Sequence, residues 1–197
     1  MTAVPRVSGS KLLVQIGDGA TPTEAFAHDC LINTQRGIQF SSETNEWGTP
    51  PDFFEYFQQL YKLDHDACAS DQNALLPSYW TKEDDALKQD WSGKRVWMNP
   101  PFGYQIKHFV KKAHDEVMLG NCDIAVCLIP ARTETRYFHE YCLRAREIWF
   151  VAGRLRFGGS KINAPFPSIV VVFTKYKDDA QRFPNIEVVD RHPLTDD

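Results

Sequence analysis

The stretch Asp123 to Ile129 is an almost unbroken apolar run closed by Pro130. It follows a segment whose apolar residues Ile106, Phe109, Val110, Ala113 and Val117 recur at helical spacing up to Leu119. A helix with one apolar stripe followed by a strand apolar on both faces is the repeating unit of a parallel sheet covered on both sides. The alternation extends both ways. Upstream, Thr49 is placed as an N-cap with Pro50 at the first helical position, and Phe53, Phe54, Phe57, Leu60 and Tyr61 follow at helical spacing. Tyr61 to Asp66 reads as a short strand ending in an acid, Asp71 to Leu76 as a brief helix before Pro77, and Lys94 to Met98 as a strand. Downstream, Thr133 to Leu143 reads as a helix, Glu147 to Val151 as a strand, and Ser168 to Phe173 as a last, β-branched strand. The last two strands, separated by the loop Gly153 to Pro167, are expected to pair antiparallel at one edge. The predicted class is α/β: a mostly parallel sheet with an antiparallel edge and helices on both faces.

A chain of 197 residues accommodates one domain of ordinary size. Hydrophobic content of 43% with both charge signs dispersed describes a globular protein. No apolar run approaches the roughly 20 residues that span a bilayer, and the N-terminus lacks a signal-peptide pattern, so no membrane partner and a cytosolic location are expected. Five cysteines without a C-x-x-C pair suggest neither a disulfide framework nor a zinc site, and no metal is expected. Residues 1–42 differ in texture, being rich in Gly, Ser and Thr, with one strand-like run at Leu12 to Ile16 ended by Gly17-Asp18-Gly19. They are expected to form a separable appendage, residues 43–180 the main domain, and residues 181–197 an acidic tail. The net charge of -4 argues against a general nucleic-acid coat, but basic residues cluster at Lys107, Lys111 and Lys112 and again from Arg132 to Lys161.

Ligands of open α/β sheets bind beyond the carboxyl ends of the strands, and two such ends carry polar signals. The first is Asp66-Ala67-Cys68-Ala69-Ser70, an acid followed by small residues that let a ligand approach the backbone. The second is Asn99-Pro100-Pro101-Phe102, closing the run Val96-Trp97-Met98. As plain turn chemistry, Asn starts a turn and Pro fixes φ. As a site, the Asn99 side-chain carbonyl and the Pro100 backbone carbonyl accept the two hydrogens of a planar amine, and Phe102 stacks on its face. Neither a G-x-G-x-x-G nor a G-x-x-x-x-G-K-[ST] motif occurs, which disfavours dinucleotide and nucleoside-triphosphate binding.

Six ordered segments together resemble a known family. They are Asn45-Glu46-Trp47-Gly48-Thr49-Pro50-Pro51, Leu63-Asp64-His65-Asp66-Ala67-Cys68-Ala69, Asp85-Ala86-Leu87 with Asp90-Trp91, Asn99-Pro100-Pro101-Phe102, Leu128-Ile129-Pro130-Ala131-Arg132-Thr133-Glu134-Thr135, and Gly153-Arg154-Leu155-Arg156-Phe157. From about Asn45 to Lys175 the chain is similar to the phage-type DNA N-6-adenine methyltransferases of the Dam class. The resemblance implies a Rossmann-like fold, S-adenosylmethionine as cofactor, double-stranded DNA as partner, and a protein made in a bacterial host from a phage or prophage. It also implies site roles. Trp47, Thr49 and Pro50 match the segment that closes over the cofactor, and Asp66 with Ala67 the acid near its methionine amine. Asp85 and Asp90 compete for the acid that bonds its adenine. Asn99, Pro100, Pro101 and Phe102 match the catalytic turn. Arg132, Arg154, Arg156 and Lys161 are candidates for DNA contact.

The mechanism this implies is neutral: two acceptors localise the adenine amine's lone pair, Asn99 is not a base, and the proton leaves after transfer. Two alternatives stay open, methylation of a cytosine amine or a glutamine amide, and a non-catalytic phage structural or DNA-binding protein. The last is motivated by residues 1–42, whose wording resembles the start of a phage tail tube protein. A monomer is expected.

Overall fold

The computed structural model describes residues 47–159, 162–175 and 184–194; the expected appendage at 1–42, with its tail-tube resemblance, and Lys161 lie outside the described residues. Six strands form one sheet: β1 His65–Asp66, β2 Arg95–Met98, β3 Ile124–Pro130, β4 Glu147–Ala152, β5 Ser168–Thr174 and β6 Asn185–Asp190. Their order across the sheet is β1-β2-β3-β5-β4-β6. The pairs β1–β2, β2–β3 and β4–β6 are parallel, and β5 runs antiparallel to both β3 and β4. The strands β4 and β5 thus pair antiparallel as expected, but the reversed strand β5 is internal and not at the edge. All but the last residue of β5 are buried, a pattern that requires cover on both faces and a partner on each side.

The edge belongs instead to β6, which lies in the segment expected as an acidic tail. Only Val189 of its six residues is buried, so Asn185, Glu187 and Asp190 lend a true strand the composition of a solvated end.

Among the described residues three helices flank the sheet: α1 Pro51–Tyr61, α2 Ile106–Met118 and α3 Arg136–Glu140. On one face Trp97 of β2 and Trp149 of β4 meet α1, with ring centroids 5.3 Å apart for Phe54–Trp97 and 5.7 Å for Phe57–Trp149. The Tyr61 hydroxyl donates to the Glu147 carboxylate, and Trp149 Nε1 donates to the same oxygen at 3.1 Å. On the other face Phe173 of β5 meets His114 of α2 at 5.8 Å. All seven residues of β3 are buried between these layers.

Helix ends depart from the sequence reading for identifiable reasons. α1 starts one residue late: Pro50 is its N-cap, in extended conformation, and its carbonyl accepts from Phe54 N–H at 3.0 Å. α1 ends at Lys62, which adopts a left-handed φ of 50° while its N–H bonds Gln58 O. Arg95 Nε then donates to the carbonyls of Tyr61 and Lys62, both at 3.0 Å, setting a cation at the helix C-terminus. That turn shortens the expected strand Tyr61 to Asp66 to β1 alone. The expected helix Asp71 to Leu76 is a turn, because Asn73 Oδ1 takes Ser70 N–H at 2.7 Å and Asp66 takes Leu75 N–H. The expected helix Thr133 to Leu143 breaks into α3 and a 3₁₀ turn at Cys142–Arg144.

The face assignment of β6 yields a paired prediction. Val189→Asp puts a carboxylate where the side chain is 4% exposed and is expected to destabilise the domain by at least about 2 kcal/mol. Val188→Asp, at a position 69% exposed, is expected to leave the urea midpoint within error. Equal midpoints for the two variants would contradict the register of β6 on β4.

Candidate active site

β1 and β2 lie side by side in parallel, so the residues that leave them emerge at one rim of the sheet. Asp66 closes β1, and Asn99 follows the last residue of β2. A cavity of about 760 Å³ opens at that rim, within the range of small-molecule sites. It is lined by Trp47, Gly48 and Thr49 ahead of α1, by Asp66 to Asp71 beyond β1, and by Glu83 and Asp85 to Lys88 in the following crossover. Trp97, Asn99, Pro100 and Pro101 from β2 and its turn also line it, with Gln105, Phe109 and Lys82 among others.

Asp66 is only 3% exposed, and its carboxylate accepts from the N–H groups of Cys68 and Leu75, each at 3.3 Å. Burial outweighs these two bonds and pushes its pKa up to about 6. Ala67, also buried, is fixed to β2 by its N–H bond to Trp97 O at 2.9 Å. The cavity therefore has a carboxylate in its wall whose charge is incompletely compensated, a setting that favours a cationic ligand group.

Asn99 is held from one side only. Its Nδ2 donates to the Trp47 carbonyl and to Thr49 Oγ1, the latter at 2.9 Å. Its Oδ1 is buried and has no partner among the described residues. Leaving a buried acceptor unpaired typically costs about 1–3 kcal/mol, so an unpaired acceptor on a cavity-lining residue is a candidate partner for a ligand donor. Thr49 thus precedes the N-cap Pro50, and its hydroxyl oxygen accepts from the Asn99 amide.

Phe102 departs from expectation. Its ring is 7% exposed, lies nearly parallel to Trp47 at 6.5 Å, and meets the edges of Phe157 at 5.8 Å and Phe166 at 5.3 Å. It is outside the cavity lining and offers no open π face; it braces the turn. The exposed aromatic of the turn is Tyr104, 83% exposed, with Lys107 Nζ 3.6 Å from its ring centroid.

The two competing acids separate. Asp85 borders the cavity in a left-handed conformation, φ 56°, and its ion pair with Lys88 at 2.8 Å holds its carboxyl below the usual range. Asp90 lies outside the lining, because its carboxylate is tied to the turn before β2 by Ser92 N–H at 2.9 Å and Ser92 Oγ at 2.5 Å. Pro50 lies outside it as well, occupied as the N-cap of α1. Of the residues expected near a cofactor, Trp47, Thr49, Asp66, Ala67 and Asp85 come together.

The candidate DNA residues stand off the cavity. Arg132 follows β3 and pairs with Glu134 at 3.5 Å. Arg154 and Arg156 are exposed in the loop after β4, alternating with buried Leu155 and Phe157, and Arg156 Nε donates to Asn163 Oδ1 at 3.0 Å. Gly158 N–H bonds Gly48 O at 2.7 Å, which ties this loop to the segment that holds Asn99. Sequence reasoning missed that tie, and it read Phe109 and Trp97 only as helix and strand residues. Among the described residues no three His, Cys, Asp or Glu side chains are grouped to hold a metal ion, and no helix is long and apolar enough to cross a membrane.

The DNA N-6-adenine-methyltransferase (Dam) family model matches residues 39–197, a span that includes β6. DNA N-6-adenine-methyltransferases of Haemophilus phage HP1 (strain HP1c1) and of Escherichia phage T1 are 34% and 36% identical over 113 and 111 residues, or 56% and 55% of this chain. The chain spans 64% and 45% of the length of these two relatives. A solved protein of Listeria monocytogenes, described as a class I S-adenosylmethionine-dependent methyltransferase, aligns with a TM-score of 0.51. That alignment covers 88% of this chain and 73% of that one at 12% identity, a likeness of fold. The Rossmann-like fold expected from the sequence agrees with it. Through its match over residues 39–197, this chain belongs to the DNA N-6-adenine-methyltransferase (Dam) family.

Proposed function

We propose that this chain transfers a methyl group from S-adenosylmethionine to the exocyclic N-6 amine of adenine in duplex DNA. The observation that carries the reading is the Asn99 amide: its nitrogen is tied, and its buried Oδ1 has no partner among the described residues, on a residue that lines a cavity with a buried carboxylate in its wall. The cavity's residues suit the cofactor. Asp66 would meet the cationic methionine amine, Ala67 lets the ligand lie against backbone, and Asp85 would accept from the adenine amine. S-adenosylmethionine supplies an activated sulfonium methyl group when bound.

The chain's own residues act by alignment and electrostatics. Asn99 Oδ1 and the Pro100 carbonyl accept the two hydrogens of the target amine, turning its lone pair out of conjugation with the ring. Both acceptors are neutral, so neither retains the proton, which passes to solvent once the methyl group has transferred. Taking adenine out of the duplex costs a few kcal/mol. The open ring of Tyr104 offsets part of that by stacking on a base, worth roughly 1–3 kcal/mol. Arg132, Arg154 and Arg156, on loops at the carboxyl ends of β3 and β4, meet phosphate or base edges. Lys161 is assigned the same role.

Three measurements test this reading. Duplex DNA incubated with methyl-labelled cofactor is expected to yield N-6-methyladenine on nucleoside analysis, and Asn99→Ala to lower the rate by at least about a hundredfold while cofactor affinity survives. Label found only in methylcytosine, or an Asn99→Ala variant at full rate, would reject it.

Asp66 makes a pH-dependent contribution with a definite sign. Its pKa is raised in the folded state, so the free protein binds the extra proton, and the stability due to this group falls as pH rises from about 4 to about 6. A cationic cofactor amine needs the ionised form, so its affinity is expected to fall as pH drops below about 6. Asp66→Asn should therefore raise the free protein's thermal midpoint at pH 7.5 while weakening cofactor binding at least about tenfold, as calorimetry would show. A variant that loses both stability and affinity would contradict the assignment.

Arg154→Ala and Arg156→Ala are each expected to weaken duplex binding and to lower the slope of log affinity against log salt by about one, with cofactor affinity unchanged. An unchanged slope in both variants would remove that loop from the DNA interface.

A further inference from the structure

An asparagine amide keeps nearly the same shape when its oxygen and nitrogen exchange places, so a clamp that relies on its oxygen must specify which end faces the substrate. Both Nδ2 hydrogens are used, one on the Trp47 carbonyl and one on Thr49 Oγ1, while Oδ1 has no partner among the described residues. The Trp47 carbonyl can only accept. The exchanged amide would set two carbonyl oxygens against each other there and would present N–H groups to an amine that needs acceptors. The segment that imposes this is itself fixed: Gly48 O accepts from Gly158 N–H at 2.7 Å, and Thr49 is buried.

We propose that Thr49, acting with the Trp47 carbonyl, is the positioning residue that turns Asn99 Oδ1 toward the acceptor amine. This rests on the function proposed above and adds a role for Thr49 beyond bordering the cofactor cavity. Trp47, Gly48 and Thr49 both line that cavity and hold the amide, so the wall of the cofactor site and the orientation of the clamp are one structure.

Thr49→Val keeps the side chain's shape and removes its acceptor; Thr49→Ser keeps the acceptor. Thr49→Val is expected to lower kcat on duplex DNA by about tenfold or more with KM for cofactor and DNA nearly unchanged, and Thr49→Ser to restore kcat to within about threefold. A second readout is independent of catalysis. In protein labelled with ¹⁵N-asparagine, the Asn99 side-chain amide pair, assigned through Asn99→Ala, should exchange slowly with solvent in the parent and in Thr49→Ser. It should exchange about tenfold faster or more in Thr49→Val. An Asn99 amide equally protected in Thr49→Val overturns the proposal, as does a Thr49→Val defect confined to KM for the cofactor. If the parent protein methylates no adenine, the proposed function fails, and the amide exchange still decides the role of Thr49.

Discussion

Parallel pairing of β1 with β2 is the constraint on which the rest of the site depends. Parallel ladders bring successive carboxyl ends out at one rim, and the register Asp66 opposite Trp97 sets Asn99 one strand across and two residues beyond the acid. An antiparallel pair would have sent the two groups to opposite ends of the sheet. The hydrogen bond from Ala67 N–H to Trp97 O extends that ladder past the last formal pair, so the backbone is still held where the small residues begin. A short β1 suffices because its neighbours supply the alignment: Asp64 N–H and Oδ1 both bond the Arg95 backbone, and Arg95 in turn closes α1.

The same rim concentrates polar groups that a stable domain would otherwise satisfy. Asp66 gives up solvation for two long hydrogen bonds, and Asn99 Oδ1 for none. Both penalties fall on the unliganded state, and in the proposed function ligand groups of opposite character would relieve them, a cation at Asp66 and an N–H donor at Asn99. The surrounding core bears this cost. β3 is buried along its whole length, and the α1 aromatics pack against Trp97 and Trp149, so the unmet groups sit at the margin of a well-filled interior.

How far the sequence discloses this follows from range. The strands β2, β3, β4 and β5 and the helices α1 and α2 were legible because their apolar periodicity is local and strong, and Asn99 and Asp66 were legible as strand-end polar residues. β6 was not: Ile186 and Val188 alternate as an inward face would, yet both are exposed, and Val189 is the buried one. That Asp85 borders the cavity and Asp90 does not turns on Ser92 and on a left-handed backbone at Asp85, neither of which spacing reports. Thr49 read as a helix cap because its local neighbours fit that pattern, whereas its actual partner lies fifty residues away in sequence. Phe102 read as an open stacking surface because Trp47, Phe157 and Phe166, which enclose it, come from distant segments.

That enclosure also joins the loop after β4 to the turn that carries Asn99. The loop after β4 alternates its residues, with Leu155 and Phe157 inward and Arg154 and Arg156 outward. Phe157 packs on Trp47 at 5.5 Å, and the next residue, Gly158, bonds Gly48. The segment so gripped holds the Asn99 nitrogen. Arg154, Arg156 and the Asn99 amide are therefore mounted on the same aromatic cluster, which limits how far they can move apart. A phenylalanine at position 102 serves this arrangement as well as a tyrosine, since the ring works as packing inside the cluster and a hydroxyl there would need a partner of its own.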